Sequence, residues 1–97
     1  MEIEFDQKKN QRNIEERQLS FEMARYFHWD SAMIIADDRK DYPEPRFLAA
    51  GYVGTTARLH ILVFTPTKTG IRVISFRKAK VRYYDLHPKS WTKQPTD

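Results

Sequence analysis

Hydrophobic and polar positions change period several times along the chain, and each change marks an element. Glu2-Ile3-Glu4-Phe5-Asp6 alternates with period two, which predicts a short N-terminal strand with Ile3 and Phe5 facing inward. Asp6 is suited to cap the helix that follows. From Gln7 to Gln18 there is one clear apolar residue, Ile14. A helix this polar does not fold by burying a stripe, so it is either peripheral or covered by a partner. Lys9, Asn13 and Glu16 share one of its faces, an arrangement that suits a polar site or a solvated surface. The pattern then restarts. Ser20 predicts a second N-cap, and Phe21, Ala24, Phe27 and His28 predict a core-facing stripe on a short second helix closed by Trp29.

Met33-Ile34-Ile35-Ala36 reads as the second strand. Asp37 to Pro45 is a charged loop stiffened by Pro43 and Pro45. Such a loop either presents side chains to a ligand or is a plain connection with Arg39 and Asp41 paired. Three strand-length runs follow: Phe47–Gly54, Arg58–Thr65 and Ile71–Phe76. Their separators are short enough for hairpins, which predicts an antiparallel meander with the helices lying against it. The middle run is apolar on both faces, as a central strand would be, and its lone His60 is expected to be buried and hydrogen-bonded. Past Arg77, Lys78 and Arg82 are spaced i, i+4, as are Ala79 and Tyr83, which predicts a short last helix ended by His87-Pro88. The fold class is α+β. One domain is expected over residues 1–88, with 89–97, including Trp91, as a mobile tail.

Composition narrows the function classes. With 97 residues, 40% of them hydrophobic, the chain can build one small core. The absence of cysteine removes disulfides and thiolate catalysis. No apolar run approaches a membrane span and the first residues are acidic, so a cytoplasmic protein without membrane contact is expected. Charge is unevenly divided: residues 1–45 carry seven Lys/Arg against eleven Asp/Glu, and residues 46–97 carry ten against two. The basic half peaks in Gly70–Arg82, where Arg72, Arg77, Lys78, Lys80 and Arg82 occur with no carboxylate. Gathering these charges calls for an anionic partner, either an RNA backbone or the carboxylates of a protein.

These residues resemble the BrnT toxins of bacterial BrnT/BrnA type II toxin–antitoxin pairs. The N-terminal likeness is Phe5-Asp6-x-x-Lys9, Asn13 and Leu19-Ser20-Phe21-x-x-Ala24. The central one is Asp37-Asp38-Arg39, Asp41-Tyr42-x-Glu44-x-Arg46-Phe47 and Gly51. The third is Arg58–Thr65 followed by Ile71–Ala79. The resemblance implies a RelE-like fold with two N-terminal helices, an antiparallel sheet and a C-terminal helix. It also implies RNA cleavage, neutralised by a BrnA-like ribbon-helix-helix antitoxin whose complex with the toxin binds operator DNA. Positions 16–18, often Lys-His-Gly in the family, are Glu16-Arg17-Gln18 here, so a histidine base at 17 is not available.

RNA brings its own nucleophile, the 2′-hydroxyl, so cleavage needs a proton acceptor and charge stabilisation at phosphorus rather than Ser or Cys. No carboxylates or histidines cluster at ligand spacing, and neither metal nor other cofactor is expected. Arg72 and Arg77 are expected to stabilise the phosphate, with Arg46, Glu44 and Lys78 completing the catalytic set. Lys9, Arg17, Arg39, Lys80, Arg82 and Tyr84 are expected to bind RNA. Strand alternation puts Arg72 and Arg77 on opposite faces unless the strand bends. Glu44, a lysine, Tyr83 or Tyr84 can serve as base. The rival class is a non-catalytic module that docks RNA or an acidic protein on the same basic face.

Overall fold

Asp6 begins the first helix as its sequence position predicts. In the computed structural model, which describes residues 1–80, its carboxylate accepts from the backbone of Lys8 at 2.8 Å and Lys9 at 3.2 Å. The helix, α1, runs Gln7–Arg17 and ends on Gln18 in the left-handed conformation (φ 54°). The strands are β1 (Glu2–Glu4), β2 (Met33–Ala36), β3 (Phe47–Tyr52), β4 (Leu59–Pro66) and β5 (Gly70–Lys78). They form one sheet in the order β1-β5-β4-β3-β2. β2 to β5 make the expected antiparallel meander, while β1 joins β5 in parallel, so the sheet is mixed. The class is α+β, with one main helix. No helix among the described residues is long and apolar enough to cross a membrane.

The second predicted helix is corrected in kind. Phe21–Tyr26 is a 3-10 helix, capped by Ser20 Oγ on the Glu22 backbone at 3.2 Å. At three residues per turn, Phe21, Ala24 and Phe27 stack on one line, and all three are buried. Phe27 has already turned extended to bridge Val53, and Trp29 opens a separate 3-10 turn, Trp29–Ser31, rather than closing the helix. Gly51 makes room here: a Cβ on it would stand 2.7 Å from the Phe27 ring. Lys78 is a strand residue. The remainder of the predicted last helix, with Arg82, Tyr83 and Tyr84, and the tail with Trp91 lie outside the described residues.

The sheet buries both faces. One packs Ala49, Leu62, Phe64, Ile71, Val73 and Phe76 against Leu19 and the 3-10 helix. The other carries Leu48, Ala50, Leu59, Ile61, Val63 and Ala79. β4 sits centrally and is buried from Leu59 to Thr65, as its two-sided apolar pattern predicts. A β-bulge interrupts β5: Val63 is opposite Ser75, but the next residue, Phe64, is opposite Val73, leaving Ile74 as the extra residue. The inward alternation therefore restarts, and Val73 and Phe76 reach the same core although three positions apart.

α1 is docked by asparagines. Its buried residues are Asn10 and Asn13, while Ile14 is 37% exposed. Asn13 Nδ2 donates to the carbonyls of Leu19 and Phe76, each at 2.9 Å. Asn10 Oδ1 accepts from the Phe21 backbone at 2.7 Å and from Ser20 Oγ at 3.4 Å. One amide thus ties the helix to the 3-10 entry and to β5, where β1 pairing has already ended at Arg72.

Asn13→Ala strands two carbonyls and is expected to cost about 2–4 kcal/mol by chemical denaturation. Ile14→Ala is expected to cost less than about 1 kcal/mol, since the side chain keeps much of its exposure in the fold. A cost ordering with Ile14 above Asn13 would contradict this account. A second expectation concerns His60, which is buried with Nδ1 2.8 Å from the Arg58 carbonyl. Burial lowers its pKa below the ordinary 6.5, and the charges of Lys78 and Arg58 act in the same direction. The unfolded chain then takes up a proton that the native state resists, so His60 contributes fully above the unfolded pKa and less as pH falls toward the folded one. Urea midpoints of wild type are expected to drop between about pH 7 and 5, and His60→Gln to flatten that slope.

Candidate functional site

The bulge in β5 and the asparagine docking of α1 define a cleft of about 240 Å³. Val63, Ile74 and Ser75 line the sheet side. One wall is α1, with Lys9, Arg12, Asn13, Glu16 and Arg17, and the other is Arg39 and Arg46 from the β2–β3 loop. The α1 positions recur at three- and four-residue intervals, so a single polar stripe of the helix faces the cleft. Lys9, Asn13 and Glu16 are on that stripe together, as their spacing suggests. Among the described residues, five cations and one carboxylate line the space.

The loop wall is organised by Asp37, whose side chain is fully buried. Arg39 donates Nε to Oδ1 at 2.7 Å and Nη2 to Oδ2 at 2.8 Å, a two-armed clamp. Arg46 Nε stands 3.3 Å from Oδ2, and its guanidinium lies 4.1 Å from the centre of the Tyr42 ring. The Arg39 hydrogen bonds hold the Asp37 carboxyl below its ordinary 3.8, overcoming the opposing effect of burial, with Arg46 adding to the depression. The alternative of an Arg39–Asp41 pair is corrected: the partner is Asp37, two residues before Arg39, at a distance a turn can close.

The bulge also settles where Arg72 and Arg77 point. Arg72 is opposite Thr65 and Arg77 is opposite Ile61, both on the β4 face that carries Val63. Directly opposed residues share a face, so the two arginines flank Ile74 and Ser75 on the same side, about 13 Å apart. Arg72 is held by Glu4 at 3.3 Å and by Glu44 at 3.7 Å, which brings the loop across this face. Arg77 is half-buried. Lys78 is opposite His60, whose ring approaches Phe76, so it belongs to the other face. Lys80 is exposed beyond the strand end, and Arg82 and Tyr84 lie outside the described residues.

The structure therefore brings Lys9, Arg17, Arg39, Arg46, Glu44, Arg72 and Arg77 to one side of the sheet and leaves Lys78 off it. Sequence reasoning missed Arg12, Ser75 and Asp37 as parts of the site. Arg12 is one helical turn from Lys9 and Glu16, a signal that was present; the burial of Asp37 has none. Among the described residues, no group of three or more His, Asp or Glu is close enough to hold a metal ion.

No curated protein matches the chain. Residues 5–82, which take in α1, the loop and β5, match the family described as the ribonuclease toxin BrnT of type II toxin–antitoxin systems. The protein that presents this basic cleft belongs to the BrnT family of ribonuclease toxins.

Proposed function

We propose that the cleft between α1, the β2–β3 loop and the β5 bulge binds an RNA phosphodiester and cleaves it by attack of the adjacent 2′-hydroxyl. The observation that carries this is the convergence of Lys9, Arg12, Arg17, Arg39 and Arg46 on one space, with Asp37 holding two of them from behind. Guanidiniums fixed before the substrate arrives stabilise the extra negative charge of a pentacoordinate phosphorus without reorganising. Arg72 and Arg77, on either side of the bulge, track the strand 5′ and 3′ of the scissile bond. Glu16, the carboxylate lining the cleft among the described residues, takes the 2′-proton as the 2′-oxygen bonds to phosphorus. The P–O5′ bond breaks and the 5′-oxygen leaves with a proton from solvent. Glu44, beside Arg72, is the alternative acceptor of the 2′-proton. The reaction in this reading uses no metal, since the 2′-hydroxyl is the nucleophile and the guanidiniums carry the charge at phosphorus.

Family membership implies an antitoxin partner and an RNA substrate. We take the antitoxin to be a BrnA-like ribbon-helix-helix protein that masks this cleft and carries the complex to operator DNA. RelE-like topology and a cytoplasmic site of action complete the reading. The rival, a binding module without chemistry, shares the cations but does not need a carboxylate among them.

End-labelled RNA incubated with purified toxin is expected to yield fragments with 2′,3′-cyclic phosphate ends, unaffected by EDTA. Arg46→Ala is expected to slow cleavage about 100- to 1000-fold. Glu16→Gln is expected to slow it about 100-fold. Lys78→Ala is expected to change it less than about threefold, the cost of one screened charge on the far face. Intact RNA retained on the protein would favour the binding module.

A further inference from the structure

We infer that Asp37 is a positioning residue of this cleft, acting on RNA cleavage through Arg39 and Arg46 without touching substrate; this rests on the reading of the cleft as the RNA site. Asp37 stands at the neck of the loop, where its backbone N–H donates to the Arg46 carbonyl at 2.7 Å and adds one rung beyond β2 and β3. The same residue thus fixes the backbone of Arg46 and, through Oδ2, stands in an ion pair with its guanidinium without a hydrogen bond to Nε. Its other oxygen takes Arg39 Nε, and the Arg39 backbone N–H also points to Oδ1 at 3.4 Å. The Arg39 side chain is only 10% exposed, an unusual degree of burial for arginine, and it is reached by holding it against a carboxylate with none of its own side chain exposed.

Two roles for such a carboxylate predict opposite outcomes. Arginine carries much rotamer entropy; the Arg39 fork, held on both arms, has lost it before RNA binds, and the Arg46 guanidinium is restrained by its ion pair and the Tyr42 ring. If Asp37 supplies this order, removing its charge frees the two guanidiniums and the reaction slows. If Asp37 only dilutes the positive charge of the cleft, removing it makes the cleft more attractive to a polyanion, and cleavage holds or rises. Tyr42 contributes to the same order by covering Arg46 from its ring face.

The test measures kcat and KM for cleavage of a single-stranded RNA by wild type, Asp37→Asn, Arg39→Lys and Arg46→Ala, with thermal unfolding recorded for each. Asparagine keeps the size of the side chain, and lysine keeps the charge at 39 while losing the two-armed contact. For Asp37→Asn, kcat at saturating RNA is expected to fall about 100-fold in protein that remains folded at the assay temperature, and Arg39→Lys to fall comparably. An Asp37→Asn enzyme whose kcat matches or exceeds wild type, or whose loss is confined to KM, overturns the inference. Should Asp37→Asn not fold, Arg39→Lys decides alone, and a wild-type kcat there overturns it equally. Arg46→Ala separates the two levels. Full cleavage in that variant removes the cleft reading, whereas cleavage lost with Arg46→Ala but kept with Asp37→Asn removes only the positioning role.

Discussion

The side-chain amide of Asn13 decides how the rest of this molecule is arranged. On the side away from β4, β5 has a strand beside it only as far as Arg72, and beyond that its backbone there needs another partner. Asn13 gives one N–H to the Phe76 carbonyl and the other to Leu19, so a helix and a sheet edge close on each other through hydrogen bonds. An apolar stripe would have done the same docking with hydrocarbon. It would also have filled the face that Lys9, Arg12, Glu16 and Arg17 now present to the cleft. Asparagine holds a helix at a buried edge while leaving its neighbours polar, and a polyanion site needs that combination.

The second constraint is parity. A regular strand would send Arg72 and Arg77 to opposite faces, because five positions separate them. The extra residue at Ile74 shifts the count by one, so Val73 and Phe76 keep the core and both arginines take the other face. The same shift carries Lys78 to the side of His60, away from the cleft. A single inserted position thus sorts the cations of the strand, putting Arg72 and Arg77 on the cleft face and Lys78 on the other.

Much of the fold was legible in the sequence because it follows from local pattern. Period-two alternation gave β1, strand-length apolar runs between short separators gave the other strands, Asp6 and Ser20 gave the caps, and two-sided apolarity placed β4 centrally. Three things were not legible, each for a physical reason. A spacing of three fits a 3-10 helix and an α-helix alike over six residues, so Phe21, Ala24 and Phe27 could not separate them. A bulge depends on what lies opposite each residue, which one strand does not reveal. Polar residues at a helix interface break the rule that burial follows hydrophobicity, so α1 read as peripheral or partner-covered, and Asn13 as part of a polar site or a solvated face rather than a buried dock. The cationic run in β5 was visible at once, yet the cleft drew its lining cations from α1 and the loop, whose mixed charges concealed them.

Asp37 shows why mixed charge concealed a site. Counted along the chain, Asp37-Asp38-Arg39-Lys40-Asp41 is nearly neutral and looks like solvated surface. In space, one carboxylate of the five residues turns inward and spends its charge on two arginines, Arg39 from the run and Arg46 from the far end of the loop. For Arg39, neutralising the cation and orienting it are the same contact, because a bidentate hydrogen bond cannot do the first without the second. A basic cleft with oriented guanidiniums therefore carries acidic residues where net charge alone would argue against them. The sign of the local field is set by the cations that remain on α1, and their geometry by the asparagine beneath them.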